Sequence, residues 1–413
     1  MDPILETMLT GWLDKTPELR DVPEFAPDGE YAGIRAFTYE SAPLKGMRTK
    51  AFAYLGIPDH APGKRLPAIV LLHGGLGHAD LPWIKRWNDL GFAAISMDNT
   101  GFFPTKRNAH ACCSDWARTM HEPFTEDGFV NGPNNDELGF SDGPVGDQWL
   151  YHALVTAILA HNILRSLPEV DNSRIGVTGI SWGSVITSLL IGYDTRFAFA
   201  MPVYGSGYLT KPVCRVWISD LFEKAPAAKR YWLAEERFDR VKIPVLWLCW
   251  NDDWAFDYRS NLRSYRETIP HAPGGRFLML HEMYHGHNEG YRQAELDQFA
   301  LAAVGLGHPL ADFDGAPQGP IVNLRVKLPA GAFITGAKLY YLTEKQTFEK
   351  FPKYFNIDMV NRREFWKSRS CAVECDRISG SAPSDATTVY AEVTYRMDGR
   401  DLRATSLCWE REA

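Results

Sequence analysis

Four stretches of this chain hold side chains whose types and spacing suit nucleophilic chemistry. The first is Gly179-Ile180-Ser181-Trp182-Gly183, directly preceded by the apolar run Arg174-Ile175-Gly176-Val177-Thr178 and followed by Ser184-Val185-Ile186. A buried strand that turns sharply into a helix lifts a serine hydroxyl to a helix N-terminus, and small residues on either side leave room for the neighbouring backbone. The plainer reading makes Ser181 a helix cap on a permissive strand-to-helix turn; the flanking strand and helix favour a nucleophile. The second stretch, His73-Gly74-Gly75-Leu76-Gly77, also follows an apolar run, Ile69 to Leu72, and offers backbone amides to a developing oxyanion. The third is Asn251-Asp252-Asp253-Trp254 at the end of the run Val245 to Cys249, where one of two aspartates can orient an imidazole. The fourth is His281-Glu282-Met283-Tyr284-His285-Gly286-His287 after Phe277 to Leu280, with His285 placed as the general base.

Two other patterns compete for some of these residues. His281-Glu282-x-x-His285 matches the string of zinc proteases, but that chemistry needs an α-helix to bring both imidazoles to one face. Here a strand leads straight in, and Gly286 and Gly290 interrupt any helix beyond. His110, Cys112, Cys113 and His121 form a second cluster, but a vicinal cysteine pair lacks metal-finger spacing, so it reads as loop lining. No metal or other cofactor is expected.

The elements that must position these groups alternate between β and α. Strands are expected at Ile34–Tyr39, Lys50–Ile57, Pro67–Leu72, Phe92–Met97, Arg174–Thr178, Phe197–Val203, Val245–Cys249 and Arg276–Leu280, and a helix at about Asp147–Leu167, where Leu150, Leu154, Ala157, Ile158, His161 and Leu164 recur at helical spacing. This is the pattern of an α/β fold: a mostly parallel eight-stranded sheet with helices on both faces. Residues 101–146 and 205–242 are long insertions that read as pocket walls or a lid, the second with helical patterns at Trp217–Phe222 and Tyr231–Phe238. After a helix at Gln293–Val304 every signal is β: Ile321–Leu328, Ala337–Leu342, Phe365–Cys375 and Thr387–Leu407, the last holding the hairpin dipeptide Asp398-Gly399. The expected division is a catalytic domain over 1–308, with an N-terminal extension over about 1–30, and a β-sandwich-like domain over 309–413.

The bulk composition narrows the function. A net charge of -7 over 413 residues disfavours nucleic acid and anionic membrane as partners, because both need clustered Lys and Arg. No segment reaches transmembrane length, the first twenty residues lack the apolar core of a secretory leader, and seven unevenly spaced cysteines fit reduced thiols in the cytoplasm. Small neutral or weakly charged substrates suit such a chain; whether it forms a homo-oligomer is left open.

Taken together, LLHGGLG, DQWLYHALVTAILAHNILRSLPEVDNSRIGVTGISWGS, LCWNDDWAF and MYHGH resemble α/β-hydrolases of the acetyl xylan esterase, cephalosporin-C deacetylase and dienelactone hydrolase group, over about residues 30–305. The resemblance implies an α/β-hydrolase fold and a triad in the order Ser181, Asp253, His285, the acid falling nine residues after Pro244 with Asp252 as the alternative. It also implies an oxyanion hole from the amides of Trp182 and Gly75, with Gly74 close by. The chain departs from the deacetylase pattern at Trp182 and Ser184 and lacks an RGQ-type motif after the oxyanion strand.

Aromatic residues near these positions, Phe102, Phe103, Trp116, Tyr204, Trp250 and Trp254, are candidates to line a pocket for a sugar or an aryl group, with Gly74 and Asp98 as further substrate contacts. Asp98 is equally placed to stabilise its own turn. The resulting expectation is a short-chain or acetyl esterase working through an acyl-enzyme. Its rivals are a serine peptidase resembling prolyl oligopeptidases, a zinc protease, and a non-catalytic binding protein whose β-rich tail recognises glycan or mediates dimerisation.

Overall fold

The structure, a computed structural model, describes residues 3–412 apart from 76, 102, 105–120, 123–127, 134–142, 211–216, 254 and 345–365. A short helix, α1 (Pro3–Thr10), precedes β1 (Leu19–Asp21), β2 (Arg35–Glu40), β3 (Lys50–Gly56) and β4 (Leu66–Leu72). Helix α2 (Leu81–Asp89) and β5 (Ala93–Met97) follow, then a two-stranded ribbon of β6 (Phe103–Pro104) and β7 (His121–Glu122) within the long insertion. The core continues through α3 (Trp149–Ser166), β8 (Val170–Ile180), α4 (Trp182–Leu190), β9 (Phe199–Val203), α5 (Trp217–Lys224), β10 (Leu246–Trp250), α6 (Tyr258–Thr268), β11 (Arg276–Leu280), α7 (His287–Tyr291) and α8 (Ala294–Ala303).

The main sheet has the order β1-β2-β3-β5-β4-β8-β9-β10-β11. From β5 to β11 every neighbouring pair is parallel, while β1, β2 and β3 run antiparallel at one edge. All seven residues of β4, Leu-Pro-Ala-Ile-Val-Leu-Leu, are buried, as a parallel strand covered on both faces requires. The sheet thus has nine strands rather than the eight expected. The extra one, Leu-Arg-Asp, is too short and polar to carry an apolar signature, and it takes its conformation from pairing with Phe37, Thr38 and Tyr39 of β2. The helical pattern at Tyr231–Phe238 also gives way, here to two 3₁₀ turns, Pro226–Arg230 and Ala234–Arg240.

Helix α3 is buried continuously from Trp149 to Leu164, so its polar residues need partners inside. They have them: His152 Nε2 lies 2.9 Å from the Gly146 carbonyl, Thr156 bonds Ser41, His161 Nδ1 lies 2.8 Å from Asp194, and Asn162 donates to the carbonyls of Trp12 and Lys15.

Beyond residue 308 the chain forms two antiparallel sheets. One is β12 (Asp312–Phe313), β13 (Ile321–Lys327), β17 (Arg377–Ser381) and β16 (Ala372–Glu374); the other is β15 (Lys367–Ser370), β14 (Phe333–Leu342), β18 (Thr388–Met397) and β19 (Arg400–Thr405), with β20 (Trp409–Glu410) beside β18. The turn between β18 and β19 places Asp398 at φ 49° and Gly399 at φ 76°, the two left-handed positions that Asp-Gly supplies in a tight hairpin. These sheets dock on the main sheet and its helices. Thr405 Oγ1 accepts the Met279 N–H on the outer edge of β11, Arg403 pairs with Glu295 at 2.9 Å, and Glu410 accepts from Tyr258 and Arg259.

Candidate active site

Three parallel strands, β8, β10 and β11, end along one edge of the sheet and deliver Ser181, Asp253 and His285. Ser181 sits between β8 and α4 at φ 56° and ψ -117°, a conformation that a non-glycine residue holds only when its surroundings enforce it, at a cost of order 1–3 kcal/mol. The enforcement is steric and polar. A methyl on Gly179 would strike the Gly183 carbonyl, and one on Gly183 would strike the Leu72 carbonyl of β4, so neither position admits a side chain. The Ser181 N–H donates to the Val203 carbonyl at 3.0 Å, and its own carbonyl caps α4 by accepting from Ser184 and Val185. Ser184, which stands where the deacetylase pattern has glycine, is buried and exchanges two hydrogen bonds with Gly205, tying α4 to the exit of β9.

His285 Nε2 lies 3.0 Å from Ser181 Oγ, and His285 Nδ1 lies 2.8 Å from Asp253 Oδ2. The second oxygen of Asp253 accepts the amides of Ala255 at 2.8 Å and Phe256 at 2.9 Å, which fixes the carboxylate plane. Asp252 is buried beside it. Tyr204 (4.6 Å between ring centroids) and Phe256 (6.0 Å, interplanar 12°) both pack against the His285 ring, which is 9% exposed.

The glycine-rich loop after β4 passes close to the serine: a methyl on Gly74 would lie 3.2 Å from Ser181 Cβ. The Gly74 carbonyl accepts from His73 Nδ1 at 2.7 Å and from the Gly77 amide at 3.2 Å. Because the peptide is planar and trans, the Gly75 N–H of the same unit points the opposite way. His73 is itself pinned, its Nε2 accepting the Asn99 amide at 3.0 Å, so its partners select the neutral Nδ1–H tautomer. Trp182 opens α4, which puts its amide at the positive end of the helix, and its indole is buried edge-on against Trp149.

Several residues expected at the substrate are engaged by groups of the protein itself. Tyr204, at φ 70°, is fully buried, and its hydroxyl reaches the carbonyls of Met283 (2.9 Å) and Tyr284 (2.6 Å), so it braces the loop that carries His285 rather than lining a pocket. Asp98 is buried in its own turn, where one oxygen accepts the amide and the hydroxyl of Thr100. Trp250 is buried and donates its indole N–H to the His281 carbonyl. Gly75 is half-buried on the loop beside Ser181. Phe102, Trp116 and Trp254, like His110, Cys112 and Cys113, lie outside the described residues, as do the side chains of Phe103 and His121.

The zinc-protease string does not form a helix. His281 bonds Asn251 while His285 bonds Ser181 and Asp253, so the two imidazoles serve different partners. Reasoning from sequence missed His73, Asn99, Tyr204 as a brace, and Asn251. The signal for His73 was its place directly before the double glycine; the others act through contacts that no local pattern marks.

Residues 20–217 match the acetyl xylan esterase (AXE1) family, a span that holds the Ser181 turn and the His73 loop and ends before Asp253 and His285. No curated protein matches the chain. Among solved structures it is similar to acetyl xylan esterase 1 from Thermoanaerobacterium sp. JW/SL YS485 (17% identity, 73% of this chain and 94% of that one, TM-score 0.49). It is also similar to the acetyl xylan esterase from Paenibacillus sp. R4 (18%, 69% and 89%, 0.48) and to a puromycin-hydrolyzing peptidase of Mycobacterium tuberculosis (17%, 68% and 40%, 0.47).

Proposed function

Taking the chain as a carboxylic ester hydrolase with an α/β-hydrolase fold, we propose that it is a serine esterase that removes acetyl or other short acyl groups from carbohydrate or small-molecule esters. The observation that carries this reading is the unbroken hydrogen-bonded path from Asp253 through His285 to Ser181, 2.8 and 3.0 Å long at its two links. His285 Nε2 accepts the Ser181 proton as Oγ attacks the ester carbonyl, and Asp253 stabilises the imidazolium and fixes its orientation. The negative oxygen of the tetrahedral intermediate is received by the amides of Trp182 and Gly75, each such donor being worth about 2.7–4 kcal/mol of barrier. The imidazolium then protonates the departing alcohol. Water, activated by the same imidazole, attacks the acyl-enzyme, the proton returns to Ser181 and the carboxylic acid leaves.

A fluorophosphonate probe and intact-mass measurement test the reading: the wild-type chain gains one adduct and Ser181→Ala gains none. In parallel, p-nitrophenyl esters of increasing chain length and acetylated sugars should show the acetyl compounds turned over fastest. Ser181→Ala should lower kcat by roughly 10⁴–10⁶-fold, the range spanned by removal of individual triad members. Turnover that survives this substitution refutes the assignment.

A further inference from the structure

The loops that carry Asp253 and His285 are held from outside the catalytic sheet. Asn251, two residues before Asp253, is tied on several sides. Its amide donates to the Leu280 carbonyl at 3.1 Å, its carbonyl accepts the Trp366 indole N–H at 3.1 Å, and its side chain donates to the Tyr390 hydroxyl at 3.1 Å and His281 Nδ1 at 3.0 Å. His281, four residues before His285, packs its ring on Tyr340 at 4.7 Å. Tyr340 stacks on Tyr390 at 5.1 Å and 16°, and the edge of Trp366 meets Tyr390 at 5.2 Å and 79°. Tyr340, Trp366 and Tyr390 all belong to the C-terminal β region, and none is more than 3% exposed.

We propose that the C-terminal β region completes the active site, with Tyr390 and Trp366 as positioning residues that hold the acid and base loops in register through Asn251 and His281. The inference rests on the serine-esterase reading above. Its physical basis is tolerance. Reacting groups must stay within about 0.5 Å of productive geometry, and a displacement of about 1 Å costs as much as 10²-fold in rate. Asn251 donates to both His281 and Tyr390, so the bond to the C-terminal region and the bond between the two loops meet at one side chain. A hydroxyl removed from Tyr390 leaves that amide with one buried acceptor fewer and lets the loop before Asp253 shift.

The test uses full-length Tyr390→Phe and Trp366→Phe, with Tyr395→Phe as control. Tyr395 lies on the same strand as Tyr390, is equally buried, and accepts only the distant Ala311 amide at 3.1 Å among its described bonds. Fluorophosphonate labelling rate, kcat and KM for p-nitrophenyl acetate, and melting temperature are measured for each. Tyr390→Phe and Trp366→Phe should label about tenfold more slowly, with kcat falling in step and KM changing less than twofold. Tyr395→Phe should lose melting temperature but label at the wild-type rate. If Tyr390→Phe does not fold, Trp366→Phe decides the matter alone. Labelling of both at the wild-type rate, or equal slowing in Tyr395→Phe, overturns the inference while leaving the esterase reading intact. A wild-type chain that gains no adduct overturns both.

Discussion

The turn that carries Ser181 and the two loops that carry Asp253 and His285 are held in contrasting ways. The serine turn is fixed from within a few residues and two adjoining strands: Gly179 and Gly183 admit no side chain, the Ser181 amide is bonded to Val203, and Ser184 locks α4 to Gly205. The loops of Asp253 and His285 are fixed by side chains that arrive from far along the chain, Tyr204 on Met283 and Tyr284, Trp250 on His281, and Trp366 and Tyr390 on Asn251. Backbone close-packing tolerates no substitution and has no intermediate states. Side-chain bracing can be weakened one hydrogen bond at a time, so the two regions should fail differently when perturbed.

The largest contrast comes from Gly183→Ala. Its methyl has nowhere to go except into the Leu72 carbonyl, so the turn must open or the junction of β4 and α4 must separate. Overpacking of this kind costs about 1–3 kcal/mol or more, and here it also displaces Ser181. We expect a lower melting temperature together with a loss of activity of at least about 10²-fold, following from misplacement of the reacting atom. A variant of wild-type stability and near-normal kcat would show that the turn is not packed as described.

A smaller and more selective loss is expected on the other side. Tyr204→Phe keeps the ring against His285 but removes the hydroxyl that serves the Met283 and Tyr284 carbonyls. Leaving a buried acceptor unserved costs about 1–3 kcal/mol. On the proposed mechanism activity should fall about tenfold in kcat with KM little changed, because a shifted His285 affects the reaction more than binding. A rise in KM with unchanged kcat would instead return Tyr204 to the pocket-lining role first expected of it.

The same contrast explains what could be read in advance. The serine turn was legible because a strand, a glycine-flanked serine and a helix start are consecutive, and the steric demand lies between neighbours. The strand ends carrying Asp252 and Asp253 were legible too, but the choice between them was not a local matter: both follow β10, and Asp253 is distinguished by the Ala255 and Phe256 amides and by an imidazole 32 residues on. The role of Tyr204 was hidden for the same reason, and the two readings of Asp98, substrate contact or its own turn, could not be separated by type and position alone. An aromatic residue or a carboxylate at the end of a strand marks the functional edge, yet whether it faces substrate or serves a neighbouring carbonyl or turn depends on partners up to 80 residues away in one case and two in the other. The β-rich tail announced itself through alternation and Asp398-Gly399, but nothing in that alternation distinguishes a surface aromatic residue from Tyr390, whose hydroxyl meets Asn251 across 139 residues.

The smallest effect expected concerns stability rather than rate, and it lies where the two regions meet. His287 follows the His285-Gly286 step and is buried edge-on against Trp83 at 5.2 Å, with the Asp80 carboxylate 3.9 Å from Nδ1. Burial outweighs the attraction of Asp80 and lowers its pKa to about 3. In the unfolded chain the same imidazole titrates near 6.5. Above that pH it is neutral in both states and has no effect on the pH dependence. As pH falls from about 6 to about 3 the unfolded chain takes up a proton that the folded chain refuses, so folding stability drops by about 1.4 kcal/mol per pH unit from this group. His152, lowered to about 4 by burial, adds to the slope over the upper part of the window. His287→Gln removes one of these protons while keeping a polar side chain of similar reach. Urea unfolding followed from pH 7 to pH 4 should therefore show a shallower loss of stability in the variant, by close to one proton's worth, with the two curves converging in shape above pH 7. Parallel curves throughout would mean that the ring takes up its proton over the same pH range in the folded and the unfolded chain, the attraction of Asp80 fully offsetting the cost of burial.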